Sequence, residues 1–195
     1  PMGMEIEWKY QASPEILGKI VGSLPGKFEI FRMKTVYFDT PDRLLSAEKI
    51  TLRIRRENNA SIATVKSPKQ GLGRGEWECA GENMAEVLPV LAQESSLSAL
   101  NGLKSEDLSP ICGAEFTRRA MRLAVPAGEV ELALDLGKVT GSGREAPICE
   151  VEIEGKTGDV AQWEAFARDF AEKFDLHSQP KSKFRRALAL TLEEK

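Results

Sequence analysis

Met4-Glu5-Ile6-Glu7-Trp8-Lys9-Tyr10 alternates without a break. Met4, Ile6, Trp8 and Tyr10 fall on one side of an extended chain, and Glu5, Glu7 and Lys9 on the other. A half-buried strand ordinarily mixes Ser, Thr, Gln and Lys on its polar side, but here every position is charged. The pattern recurs down the chain. Arg53 and Arg55 share a face, with Leu52 and Ile54 opposite, and Lys66 follows Thr64 by two. Glu76 and Glu78 flank Trp77, Arg118 and Arg122 lie together, Asp135 extends the face of Glu131, and Glu150, Glu152 and Glu154 form a row.

Like charges two apart on a strand repel, so each pair needs an opposite charge or a ligand. A solvated sheet face explains any one pair. The joint pattern points instead to a closed barrel whose lumen carries both an acidic and a basic cluster. Desolvated, unpaired charge is costly, so such a lumen holds water, metal ions or a charged ligand. Clustered carboxylates suit a hard divalent cation such as Mg²⁺. Lysines and arginines suit phosphate oxygens, arginine bidentately. Together they are the equipment of phosphoryl transfer.

The rest of the chain supports a barrel. Pro1-Met2-Gly3 reads as an added leader and is set aside. Ser13-Pro14-Glu15 supplies a cap, a first-turn proline and an acidic first turn for a helix with Ile16, Leu17, Ile20 and Val21 on one stripe. Strands are expected at 27–38, 50–56, 61–66, 76–80, 115–125, 129–139 and 146–154, and a last one from about Ala187 to Leu192. Glu57-Asn58-Asn59 makes a hairpin turn. Asn83 and Asp159 cap two further helices, the second carrying Trp163, Phe166, Phe170 and Phe174 toward an outer apolar face. Gln93–Ile111 is the one candidate linker, with room for a short helix or two. The fold class is α+β, mainly antiparallel β, a sheet curled into a barrel, with residues 1–195 forming a single domain.

Composition removes several function classes. With 27 Lys+Arg against 30 Asp+Glu the net charge is −3, which does not suggest a nucleic-acid binder. No apolar run approaches the ~20 residues that span a bilayer. Cys79, Cys112 and Cys149 lack any CxxC pairing, which fits a reduced, cytoplasmic compartment. His177 is the single histidine, read as a loop residue beside Asp175 rather than a base, so histidine metal sites and catalytic triads are mostly excluded. Gly71-x-Gly73-x-Gly75 lacks GK[ST] and precedes a strand, so it reads as a loop near a tunnel mouth.

The ordered series Glu5-Ile6-Glu7-Trp8-Lys9, Tyr37-Phe38-Asp39-Thr40-Pro41, Leu52-Arg53-Ile54-Arg55, Thr64-Val65-Lys66, Arg74-Gly75-Glu76-Trp77-Glu78, Phe116-Thr117-Arg118, Leu134-Asp135-Leu136-Gly137, Glu150-Val151-Glu152-Ile153-Glu154 and Ser182-Lys183-Phe184-Arg185-Arg186 covers essentially the whole chain. It resembles the CYTH superfamily, or triphosphate tunnel metalloenzymes, and within it the bacterial inorganic triphosphatases. The resemblance implies an eight-stranded antiparallel tunnel, open at both ends, with helices outside. It implies Mg²⁺- or Mn²⁺-dependent hydrolysis of inorganic triphosphate, with thiamine-triphosphate hydrolysis, adenylate cyclisation or non-catalytic polyphosphate binding as alternatives. By family position Glu5, Glu7, Glu150 and Glu152 are metal ligands. Lys9, Arg53, Arg55, Lys66, Arg118, Lys183 and Arg186 hold phosphates, and Glu76 and Asp135 are further acidic lumen positions, so that Glu5, Glu7, Lys9, Glu76 and Asp135 form the catalytic set. The family's SKxxRG ending has no glycine here, so either Arg185 or Arg186 is the functional one, and Glu154 is expected beyond the tunnel mouth. Trp8 and Trp77 fall on outer faces, and no aromatic residue is expected in the lumen. The implied partner is a triphosphate, with no nucleic acid and no membrane, the chain being a monomer or homodimer.

Overall fold

In the computed structural model, which describes residues 2–192, strand β1 (Met2–Gln11) closes a sheet on itself. Its first half pairs antiparallel with β5 (Gly73–Ala80) and its second half with β8 (Arg144–Thr157). Around the barrel the order is β5, β4 (Ala60–Lys66), β3 (Thr51–Glu57), β2 (Glu29–Asp39), β6 (Ser109–Val125), β7 (Gly128–Gly141), β8 and β1. The result is a closed eight-stranded antiparallel barrel. A two-residue strand, β9 (His177–Ser178), adds to the edge of β1 at Tyr10 and Gln11. Met2 and Gly3 belong to β1, opposite Trp77 and Glu76, so they take part in the fold from which they were set aside. Pro1 lies outside the described residues.

Helices cover the outer wall where the strands turn apolar faces outward. Helices α1 (Pro14–Ser23) and α4 (Val160–Phe174) close over Val130, Leu132, Leu134, Val151 and Ile153 of β7 and β8. Ser13 and Asp159 cap them as expected, accepting from the amides of Ile16 and Ala161. Trp163 presses so closely on β8 that a Cβ at Gly155 would sit 2.1 Å from its ring. Helix α3 (Met84–Ser95), capped by Asn83, covers β3, β4 and β5 through Val87, Leu88 and Leu91. The candidate linker is no linker: Leu100 and Leu108 are buried in that same cluster, and two 3₁₀ turns, Ser98–Leu100 and Ser105–Asp107, bring them in. A one-turn helix, α2 (Leu44–Ala47), was not legible in advance. The fully buried Asp39 holds it by accepting from the amides of Thr40, Leu45 and Ser46.

The largest departure lies at the C-terminal end. Residues 187–192 alternate Ala, Leu, Ala, Leu, Thr, Leu, but they belong to a helix, α5 (Lys183–Leu192), and not a strand. Ala and Leu are the strongest helix formers, and Ser182 starts the helix by accepting from the Arg185 amide through its hydroxyl and from the Arg186 amide through its carbonyl. The lumen-facing rows of β6, β7 and β8 become apolar toward this end, at Phe116 and Ala114, Val139, and Ile148. Helix α5 packs Phe184, Ala187 and Leu190 against them. It therefore stoppers one end of the barrel, and the tunnel is not open at both.

Candidate active site

Above that stopper the charged rows converge on a cavity of about 230 Å³. Glu5, Glu7, Lys9, Arg53, Arg55, Lys66, Glu76, Arg118, Glu152 and Lys183 all line it, as the alternation requires. Asp135, Glu150 and Arg186 lie just behind, the two carboxylates with no exposed surface. Glu154, expected outside the mouth, is in the wall. Eight acidic and eight basic side chains line the cavity, so the count of cations by itself creates no net positive field. Their segregation instead gives the cavity an acidic side and a basic side.

At the α5 end the charges neutralise one another. Lys183, 5% exposed, sets its ammonium 2.7 Å from Asp135 Oδ2, 2.6 Å from Glu152 Oε2 and against Glu150 Oε1. Arg118 grips Asp135 with two 2.8 Å hydrogen bonds and reaches Glu152 at 3.1 Å. Arg186 donates to Glu150 at 2.6 Å. Burial opposes the charged form of Asp135, Glu152, Arg118 and Lys183, yet the pairing wins. Asp135 is held below its usual range by Arg118 and Lys183, and Glu152 well below by Lys183, Arg118 and Lys9. Lys183 is held above its ordinary value by the three carboxylates. Asp135, Glu150 and Glu152 form a compact acidic group, but the Lys183 ammonium already fills it. Glu150 and Glu152 are thus tied to cations, although Glu152 stays near enough to Glu7 to raise its carboxyl. The helix also decides between the two arginines: Lys183 and Arg186 are three residues apart on one face, and Arg185 is exposed on another.

The other acidic group is only partly compensated: Lys66 pairs with Glu5 and Lys156 with Glu154, while Glu7 makes no ion pair among the described residues. Strand register places Glu7 directly opposite Glu154, and Glu154 directly opposite Glu131. Carboxylate oxygens of Glu5, Glu7 and Glu154 lie within 4.8 Å of one another. Like charges facing across strands are destabilising unless something neutralises them. Burial, then Glu152 and Glu5, push the Glu7 carboxyl up to about 6. Burial, reinforced by Glu5 and Glu7 against the 3.0 Å pair with Lys156, pushes Glu154 up to about 7. Glu5 is raised by burial and by Glu76, although Lys66 donates to both its oxygens at 2.9 Å. Three oxygen donors at this spacing can hold a hard divalent cation.

Across the lumen the opposite imbalance holds. Arg53 makes no hydrogen bond or ion pair among the described residues, and its buried Nε is unpartnered. Arg55, 4% exposed, hydrogen-bonds only Thr35 Oγ1, at 2.8 Å, among the described residues, and lies 5.1 Å over the Phe116 ring. Burial and the neighbouring Arg53 lower its guanidinium to about 10. Aromatic side chains also reach the lumen, contrary to expectation: Tyr37 and Phe184 line the cavity with ring centroids 5.1 Å apart. Trp8 and Trp77 do pack outside. Tyr37 stands directly opposite Arg53 in the register, so the parity of Arg53 could have revealed it once β2 was paired with β3.

The remaining motifs recede. His177 is 81% exposed on β9, 4.0 Å from Asp175, and does not line the cavity. Of the glycine triplet only Gly71, at φ +62°, is in the loop; Gly73 and Gly75 belong to β5, where a Cβ would meet Met4 and Trp77.

The chain is 30% identical to an inorganic triphosphatase of Haemophilus influenzae, over 97% of this chain and 55% of that protein. It thus spans about half the length of the curated relative it matches. Its fold matches a Hippeastrum adenylyl cyclase candidate with a dominant triphosphatase activity (TM-score 0.70, 19% identity, 97% of each chain). It also matches an adenylate cyclase candidate of Bacillus halodurans (TM-score 0.63, 22% identity, 93% of this chain and 95% of that one). The CYTH domain model matches residues 3–188, nearly the whole chain, and the protein belongs to the CYTH domain family.

Proposed function

We propose that this chain, acting as one domain, hydrolyses inorganic triphosphate to pyrophosphate and phosphate with Mg²⁺ or Mn²⁺. The observation that carries the reading is the charge left over: Glu5, Glu7 and Glu154 lack full cationic compensation, while Arg53 and Arg55 face them without a carboxylate partner. Only an anion and a cation arriving together neutralise both sides. Triphosphate and a divalent metal do so.

Glu5, Glu7 and Glu154 hold the metal, which when bound neutralises phosphoryl charge and acidifies water. Arg53 and Arg55 bind phosphate oxygens, with Lys9, Lys66 and Arg118 at the edges of the same cavity. Glu76, held below its usual range by Lys66 in spite of burial, stays ionised and orients water. Asp135, Glu150 and Glu152, joined to Lys183 and Arg186, keep Arg118 in place. Tyr37 commits its ring to Phe184, so a nucleobase finds no open face to stack on inside. Phosphate release from triphosphate, ATP and thiamine triphosphate tests the assignment. Triphosphate should lead ATP in kcat/KM by at least about tenfold, ~1.4 kcal/mol. Equal turnover of ATP, or cyclic AMP as the main product, overturns it.

Arg53→Ala should weaken triphosphate binding by ~1–3 kcal/mol, a lost charge-assisted hydrogen bond. Arg53 makes no ion pair among the described residues, yet against burial Tyr37, Glu76 and Glu5 hold it above its ordinary value while it crowds Arg55. The effects offset, so the metal-free variant should melt close to the wild-type temperature. Calorimetry with a thermal melt checks both, and unchanged binding would show that Arg53 does not meet substrate.

Metal affinity should rise with pH. Glu7 near 6 and Glu154 near 7 are partly protonated around neutrality, and a cation must displace those protons. At pH 6.5 binding should release about one proton, summed over the two groups. Titrations in two buffers of different ionisation enthalpy read that number, and affinity flat from pH 5.5 to 8 would contradict it.

A further inference from the structure

Helix α5 closes one end of the barrel, but the wall beside it is incomplete. One edge of β1 pairs with β5 only as far as Ile6, opposite Gly73, and with β9 only from Tyr10, opposite Ser178. Across the interval, at Glu7, Trp8 and Lys9, a side chamber of about 430 Å³ takes the place of a strand. The chamber and the lumen share Glu5, Glu7, Lys9, Arg74 and Ser182, so the two are continuous beside the partly compensated acidic group.

Three elements bring cations to this opening. Lys69 stands on the loop between β4 and β5, Arg74 on β5 and Arg185 on α5. Lys69 and Arg185 are exposed, so the chamber reaches the surface. None of the three makes an ion pair among the described residues, although Glu5 stands opposite Arg74 in the register. Arg74 donates its Nε to the Ser67 carbonyl at 2.9 Å, which anchors the guanidinium and leaves its other nitrogens for a ligand. Burial holds it below its ordinary value in spite of Glu5 and Glu7. With Lys9, four cations line the chamber against Glu5 and Glu7 alone, whereas in the lumen the two signs are equal in number. Such an excess, on an anchored arginine and two flexible cations, suits the oxygens of a phosphate group.

We infer that the side chamber is a phosphate subsite outside the lumen, in which Lys69, Arg74 and Arg185 hold one phosphate group beyond the three of the bound triphosphate. The same chemistry fits two sources, the orthophosphate that hydrolysis releases and the end of a longer linear polyphosphate. The inference rests on the lumen taking triphosphate. It gives an anion held beside Glu5 and Glu7 a way out at the end that α5 blocks.

The test compares wild type with Lys69→Ala/Arg185→Ala and with Lys34→Ala/Arg119→Ala, a control that removes two exposed cations from the outer wall. All three should melt alike. Triphosphate and linear tetraphosphate affinities are read by calorimetry in EDTA, and inhibition of triphosphate hydrolysis by added orthophosphate is read with Mg²⁺. Control and wild type should agree within about twofold throughout, since isolated surface charges contribute little. Lys69→Ala/Arg185→Ala should keep triphosphate affinity to the same margin. It should lose about tenfold in tetraphosphate affinity, or need about tenfold more orthophosphate for inhibition, as charge-assisted hydrogen bonds are lost. The first result identifies a chain end as the ligand, and the second identifies the free product. The subsite is overturned, with triphosphate hydrolysis left standing, if neither quantity changes, if triphosphate and tetraphosphate lose equally, or if the control loses as much. A wild type that neither binds nor hydrolyses triphosphate overturns both.

Discussion

Glu7→Gln should lower triphosphate turnover by at least about a hundredfold while the variant stays folded, and EDTA should silence the wild type to the same extent. Glu7 sits between Glu5 and Glu154, and removing its charge leaves two carboxylates for a hard cation that needs several. The sign of the stability change separates this from simple damage. Burial and two neighbouring carboxylates raise Glu7 above its unfolded value, so the folded protein binds this proton more tightly than the unfolded chain does. Stability from this group is present at low pH and is lost as pH rises through about 6. A glutamine, isosteric and uncharged, escapes that loss. Metal-free Glu7→Gln should therefore melt at or above the wild-type temperature at pH 8, where it is nearly inactive. Full activity in Glu7→Gln, or in the presence of EDTA, would sink the metal assignment.

Lys183→Met should act in the opposite way, through the fold before the chemistry. It leaves Asp135, Glu150 and Glu152 clustered at the base of α5 with only Arg118, Arg186 and Lys9 to compensate. Deleting one partner of a buried ion network costs about 3–5 kcal/mol, because the remaining charge is stranded without water. In a chain of this size that lowers the melting temperature by about 10 °C or more. Lowering the pH toward 4 should recover part of it, since the stranded carboxylates then take up protons. The exposed Arg185 is the internal control: Arg185→Ala should leave the melt unchanged. A Lys183→Met variant as stable as wild type would mean that the ion network is not what holds α5 in the barrel.

Much of this was written in strand alternation. A period of two assigns a side to each residue, so Glu5, Glu7 and Lys9, Arg53 and Arg55, and Glu150, Glu152 and Glu154 were bound to share faces wherever their strands went. Local capping chemistry at Ser13, Asn83 and Asp159 likewise acts within a few residues and was readable as it stood. Closure of the sheet followed from the charge itself, because so many charged faces find compensation only across a lumen. Which charges meet was another matter. Glu7 faces Glu154 only once the register of β1 with β8 is set, between segments well over a hundred residues apart, whereas Asp135 meets Glu150 across the local β7–β8 hairpin. Of the four carboxylates expected as metal ligands, Glu150 and Glu152 are paired with Lys183, and Glu5 and Glu7 share the other acidic group with Glu154. The alternation of Ala and Leu after residue 187 misled for a related reason. Both residues serve strand or helix, and the choice fell to a helix because the apolar end of the barrel, at Phe116, Val139 and Ile148, needed a cover that a ninth wall strand could not give. The sequence by itself determined the charged inner faces and the barrel they require; only the tertiary structure decided which charges neutralise each other and which remain for a ligand, since Coulomb energy depends on distances that cross-strand register and helix packing alone fix.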